Sequence, residues 1–231
     1  MEQLNNPLFG LTISFLAFEI GKYIFEKTKF PLFNPLLVGA TLVIGFLYYF
    51  SIPLDYYLKG GDMIEFFLIP GTVLLAVPLY KQLNLLKKYY IPILIGGLVG
   101  AVTTITSTIV LAKILGIDRL LLISFIPKSI TTPIGVEVSK NLGGIPAITI
   151  FSIVLTGICG NIFAVSICKL FKINHPVAKG VAIGISSHVG GTTKAMEMGE
   201  VEGAISALSI VIAGVLTLIL TIFIKNFIIF L

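Results

Sequence analysis

The stretch SFIPKSITTPIGVE, residues 124–137, sets Lys128 between two prolines in a chain that is otherwise mostly apolar. Pro127 and Pro133 both oppose a continuous helix, because proline lacks an N–H and its ring clashes with the preceding turn. The flanking runs, around Ile114 upstream and Ala147 downstream, are strongly apolar. A lysine with Ser129, Thr131 and Thr132 in that setting reads as the tip of a binding site inside a membrane.

The whole composition agrees with a lipid environment. The 231 residues are 56% hydrophobic and 12% charged, with a mean hydropathy of +1.05. A soluble domain carries roughly 25% charged residues, so the solvent for most of this surface is expected to be lipid. The net charge of +5 is scattered along the chain. Without a basic helix or an aromatic-basic platform it reads as membrane topology, and no nucleic-acid partner is expected. Cys159 and Cys168 share one apolar run and form neither a CxxC pair nor a metal-ligand spacing, so they read as packing residues. The N-terminal MEQLNN has no basic region, and the apolar stretch after it holds Glu19 and Lys22. Both features argue against a signal peptide. No Ser/His/Asp set, HExxH or carboxylate pair is present. Neither an enzyme nor a metal or cofactor site is expected.

Six apolar segments fall at about 7–25, 35–52, 63–80, 91–114, 146–170 and 203–230. Each approaches the roughly 20 residues that span a bilayer. Pro70 and Pro78 are expected to kink the third. Polar connectors such as PLDYYLKGGD (53–62) and YKQLNLLKKYYIP (80–92) separate them. Two further stretches, 118–142 and 176–200, are apolar at their ends and polar in the middle, and each precedes a clean span. An offset of 60 places PKSITTPIGVEVSKNLGG (127–144) on SHVGGTTKAMEMGEVEGA (187–204). Lys128 then falls on His188, Thr132 on Thr192, Glu137 on Glu197 and Gly143 on Gly203. We read this as an internal repeat.

Cationic residues decide whether these stretches cross or turn back. If both return to the side they entered from, the loops divide nine against five. Lys22, Lys27, Lys29, Lys81, Lys87, Lys88, Lys169, Lys172 and Lys179 lie on the richer side. Lys59, Lys113, Arg119, Lys140 and Lys225 lie opposite. If 118–142 crossed, the division would be seven against seven. Cytoplasmic loops are Lys/Arg-rich, so re-entrant hairpins are expected, with both termini outside. The two units, 118–170 and 176–230, are then inverted relative to each other. Their tips meet near the midplane, where inverted-repeat transporters bind substrate.

The chemistry of both tips suits a small anion. Pro133 is suited to the first turn of the following half-helix, whose free N–H groups and positive dipole end face the tip. Lys128 adds a charge, and Ser129, Thr131 and Thr132 add hydroxyls. In the second tip Gly190 and Gly191 permit close backbone approach, and Ser186, Ser187, Thr192 and Thr193 supply hydroxyls. His188 is a candidate proton carrier or sensor, and Lys194 faces the site or a mouth. Plainer readings stand beside these. Lys128 is a snorkelling helix-end residue, and His188 a packing histidine. Glu137 and Glu197 either relay protons, pair with lysines or lie at the interface. Glu19 pairs with Lys22. Asn161 and Thr156 in LTGICGN (155–161) serve interhelical bonding or contact ligand.

NPLL (34–37), PGTVLLAVPLYKQ (70–82), PILIG (92–96), IPKSITTPIGVEVS (126–139), LGGIPAIT (142–149) and KGVAIGISSHVGGTTKAMEMGEVEGAISAL (179–208) resemble the LrgB/CidB family. That family also holds YohK-type bacterial inner-membrane proteins and the C-terminal half of the plastid glycolate/glycerate translocator. The resemblance covers about residues 7–225 and implies two functional accounts. One is transport of small monocarboxylates such as pyruvate, glycolate or glycerate. The other is an antiholin-like regulator of murein hydrolase activity, export and lysis, working with a small LrgA-type partner. The two anion-suited tips favour the first, since a holin-like pore does not need them.

The expected protein is an all-α polytopic carrier of the bacterial plasma membrane, with about six spans and two re-entrant hairpins. Analogy with other twin-hairpin carriers divides it into a scaffold, 1–115, and an elevator-like core, 116–231, and suggests a homodimer through the scaffold. Lys128 would hold the carboxylate, the tip hydroxyls would donate to it, and His188 would be a proton or substrate-hydroxyl partner.

Overall fold

The computed structural model describes residues 4–67, 70, 73, 80 and 83–228, without the side chains of 31 and 225–228. Among these residues the secondary structure is wholly helical: α1 (Pro7–Thr28), a 3-10 turn (Pro31–Phe33), α2 (Pro35–Tyr49), α3 (Leu54–Phe66), α4 (Leu83–Ile114), α5 (Arg119–Phe125), α6 (Thr132–Leu142), α7 (Pro146–Leu170), α8 (Pro176–Met198) and α9 (Glu200–Ile228). Among the described residues, four helices are long and apolar enough to cross a membrane: α1, α4, α7 and α9 over Glu200–Ile224. The chain is a helical membrane protein. The 15 residues of α2 reach about 22 Å at 1.5 Å per residue, short of the roughly 30 Å of hydrocarbon.

The chain divides into two compact units, Met1–Gly71 and Thr72–Leu231. In the first, α1 and α2 start alike. Asn6 and Asn34 each accept a hydrogen bond from the N–H two residues on, 2.9 Å in both cases, and a proline follows. That is the favoured combination for a helix start. Gly10 and Gly60 let α1 and α3 touch backbone to backbone, and a Cβ on Gly60 would lie 2.5 Å from Pro7 O. Ala17, Val43, Leu47 and Ile52 form the core of this unit.

Two connectors differ from expectation. Residues 53–62 read as a polar turn, but Leu54–Phe66 is helical. Its charges Asp55, Lys59, Asp62 and Glu65 occupy one helix instead of interrupting the chain. Residues 83–92 likewise join α4, which bends at Tyr89 (φ −121°, ψ 23°) ahead of Pro92. The kink has an identifiable cause, since Pro92 cannot bond the preceding turn. Most of the expected third span, 63–80, and its Pro78 lie outside the described residues.

In the second unit α4, α8 and α9 pack around Ile93, Val177, Val181, Ile185, Ile205, Leu208 and Ala213. Both repeat units reverse the chain. In the first, Ser124 of α5 lies against the start of α7, its hydroxyl accepting from Ile145 N at 2.8 Å. Ser139 of α6 meets Thr149 at 2.7 Å, while Gly135, nearer the break, meets Ile153. Contacts that recede along one helix as they advance along the other mark α6 as antiparallel to α7. Segment 126–131 is the turn. Gly143 ends α6 in the left-handed region (φ 83°) and sends the chain into α7.

The second unit follows the same course. Gly180 packs on Glu202, and Gly184 on Ser206, so the first half of α8 runs parallel to α9. Thr192 then meets Ser206, and Met196 meets Gly203, so the second half runs back. The reversal is at His188, whose backbone (φ 41°, ψ −137°) leaves the helical region.

A partly buried ion pair closes the base of this second reversal, Lys179 Nζ to Glu202 Oε1 at 3.9 Å, with side chains 24% and 10% exposed. Removing one partner of such a pair leaves the other charge uncompensated. Glu202→Ala is therefore expected to cost about 1–2 kcal/mol, between the surface and fully buried limits. Thermal unfolding in detergent measures it. The double variant Lys179→Met/Glu202→Leu should recover most of the loss, and an additive double variant would refute the coupling.

Candidate functional site

Both reversals come together on α7 at Ile153. The His188 ring donates from Nε2 to Ile153 O at 2.7 Å. On the other unit, a Cβ on Gly135 would lie 2.6 Å from Ile153 Cδ1. One residue thus touches the first tip with its side chain and the second with its carbonyl. Each long span also carries a glycine against the opposite unit's tip. Gly157 of α7 lies against His188 and Gly190, and Gly214 of α9 against Ile134. The offset seen in the sequence therefore puts Lys128 and His188 at two breaks that meet. α6 and the second half of α8 both begin at these breaks, so two positive helix ends lie at the junction.

The first tip is polar and incompletely satisfied. Lys128 is partly buried and its Nζ donates to Thr108 Oγ1 of α4 at 3.0 Å. Among the described residues no carboxylate lies within ion-pair distance of it. Thr131 is 4% exposed, and its hydroxyl has no hydrogen-bond partner. Buried polar atoms are nearly always paired, so an orphan at a broken helix is an argument for a site. Ser129 is buried and lines a cavity of about 10 Å³, room for about one water. Ala101 and Thr104 of α4, Ile126, Ile130, Ile185 and Ala213 and Thr217 of α9 complete its wall. Pro127 lies within this turn, and Pro133 in the first turn of α6.

The second tip is fully engaged. Thr192 donates to His188 O at 2.8 Å and its hydroxyl meets Ser206 Oγ at 2.7 Å. Ser187 lies on Gly160, and its hydroxyl is 3.0 Å from that of Ser186. Gly190 and Gly191 permit close approach, Gly190 to Gly157 and Gly191 to Ser187 and Ile183. Asn161 donates to Gly190 O and to Thr193 Oγ1, at 3.2 and 2.9 Å. It is a clamp on the tip, which is the interhelical reading of that residue. The positive φ of His188 is costly for a residue with a Cβ, about 1–3 kcal/mol. The bond to Ile153 and the space left by Gly157 hold it there.

Other expected residues sit away from the junction. Lys194 bonds Glu197 at 2.6 Å, and Lys140 pairs with Glu137 at 3.8 Å. Both are local i,i+3 pairs with exposed carboxylates. Thr132 is partly buried beside the first break, and Thr193 is exposed on the Asn161 side. Ser186 does not line the small cavity. It lines a larger groove of about 660 Å³ between α4 and the first half of α8, running from Tyr89 and His175 to Thr103 and Thr104.

Residues not singled out from sequence are Thr104 and Thr108 of α4, Thr217 of α9 and Ile153 of α7. The first two had a visible signal: TTITST, 103–108, is a run of hydroxyls inside an apolar span. Taken together, among the described residues the junction offers one ammonium, hydroxyls and two helix N-termini, with no acidic group, which is chemistry for an anion of small size.

A family model described as the LrgB-like family matches residues 14–227. The chain is similar to the antiholin-like protein LrgB of Bacillus mycoides (strain KBAB4), Bacillus cereus (strain B4264) and Bacillus anthracis (strain CDC 684 / NRRL 3495). In each case it is 38% identical over 220 residues, covering 95% of this chain and 96% of the relative. No solved structure matches the chain.

Proposed function

The chain belongs to the LrgB-like family, and from that membership we propose that it has the antiholin-like role for which its relatives are named. Near-complete coverage in both directions supports carrying the role over. In this reading the protein restrains lysis from the bacterial plasma membrane, with both termini outside and a small LrgA-type membrane protein as partner. The relatives' names do not say by what chemistry it acts.

A second reading, favoured by the geometry, supplies that chemistry: the chain carries a small monocarboxylate, of the pyruvate, glycolate or glycerate kind. The observation that carries it is the meeting of two broken-helix tips at Ile153, beside a lysine whose only partner among the described residues is a hydroxyl. Lys128 takes the carboxylate. Ser129, Thr131 and the free N–H groups of α6 donate to it. The engaged bonds of His188 and Thr192 support a positioning role for the second tip. The tips belong to re-entrant hairpins at the midplane, and lysis changes as a consequence of altered carboxylate flux. In the elevator form of this reading, 116–231 moves against 1–115 in a homodimer. α4 then slides on α8, where Gly96 and Gly100 receive Val181 and Ile185.

Proteoliposomes holding only this chain, given labelled pyruvate or glycolate, separate the two readings. Saturable uptake is the expected result. No uptake, combined with restored lysis resistance when the chain is returned to a deletion strain, would remove the carrier reading and leave the antiholin-like one.

A further inference from the structure

We propose that Thr108 of α4 is a positioning residue that stands in for the substrate carboxylate when the site is empty. The inference rests on the carrier reading. The hydroxyl of Thr108 has one proton, and it is committed to Thr104 O at 2.7 Å. What it presents to Lys128 is therefore a lone pair, at 3.0 Å from the ammonium. That is the role an incoming carboxylate oxygen plays, and in this proposal the carboxylate takes over the N–H that Thr108 accepts. The one-water volume of the cavity beside Ser129 agrees with a site closed around its own residues. Thr104, whose carbonyl accepts the hydrogen bond from the Thr108 hydroxyl, itself lines that cavity. α4 lies outside both repeat units, so a third element completes the site.

The device has a functional logic. A buried ammonium with no acceptor is costly, so an empty carrier needs a substitute to remain stable. A neutral hydroxyl holds the lysine less strongly than a carboxylate does, and the substrate therefore displaces it.

Removing the acceptor destabilises the empty site and leaves the loaded one nearly unchanged. Apparent affinity must therefore rise. Uptake of labelled pyruvate into proteoliposomes is measured for the wild type, Thr108→Val, Thr108→Ala and Thr108→Ser. KM is expected to fall about fivefold or more in the valine and alanine variants, given the cost of leaving a buried polar group unpaired, and to stay at the wild-type value in the serine variant. Vmax is expected to fall in the first two, because release now strands the lysine. KM does not depend on how much protein folds, so a fall in yield alone leaves the test intact. An unchanged or raised KM in both the valine and alanine variants, with a saturable wild type, overturns the inference alone. A wild type that neither takes up pyruvate saturably nor is protected by it against thermal unfolding removes the carrier reading, and this inference with it.

Discussion

Gly190→Ala is expected to be strongly destabilising. Its Cβ would lie 2.5 Å from Gly157 Cα and 2.6 Å from Gly157 O. Both are backbone atoms of a span, so no side chain can swing aside. The second tip would have to lift off α7, losing the His188 bond to Ile153 and both Asn161 bonds. Overpacking costs about 1–3 kcal/mol, and more when rigid groups meet. With the tip's hydrogen bonds added, a loss of about 3 kcal/mol or more is expected. The control is Gly45→Ala, where an added Cβ meets nothing within 4 Å and alanine improves helix propensity. Melting temperature and monodispersity in detergent report both variants. A Gly190→Ala protein that melts like the wild type would show that the tip does not seat on α7.

Replacing Lys128 is expected to have the largest effect on function. In the carrier reading the carboxylate loses the ammonium at the first tip. A hydrogen bond to a charged group contributes about 1.5–3 kcal/mol, so pyruvate affinity should fall on the order of 10- to 100-fold in Lys128→Met. Lys128→Arg should recover only part of this, since a planar fork does not reproduce a compact ammonium. Lys128→Met should not unfold the protein, because methionine fills a similar volume without a charge to bury. Unchanged uptake kinetics in Lys128→Met would sink the assignment of the anion to the first tip. If the chain acts only through an antiholin-like contact, both variants should restore lysis resistance equally well.

Much of the second unit was legible from particular residues. Pro127 and Pro133 mark the first break, and the offset of 60 aligns Lys128 with His188. The structure has both at reversals of the chain. Other features gave no usable signal. Leu54–Phe66 is rich in charge and glycine, which reads as a turn, yet glycine is there so that α1 can pack against it. The hydroxyls of Thr104 and Thr108 stand out in TTITST, but nothing in the sequence ties them to the tips, because the helix carrying them lies outside the repeat. Ile153 could not be found at all: its contribution to the second tip is a carbonyl, which every residue has. The division of labour between the tips was equally hidden. The two have similar hydroxyl content, but only the coordinates show that Thr192 is engaged and Thr131 is not.

The double contact of Ile153 makes the two tips separately addressable by chemistry. Its side chain belongs to the first tip and can be altered by ordinary mutation, as Ile153→Val or Ile153→Ala. Its carbonyl belongs to the second tip and is untouched by any such change. Replacing the following amide, at Val154, by an ester through semisynthesis weakens that carbonyl as an acceptor while keeping every side chain. Two atoms of one residue thus become independent handles. The contribution of each tip can then be dissected there without moving a helix.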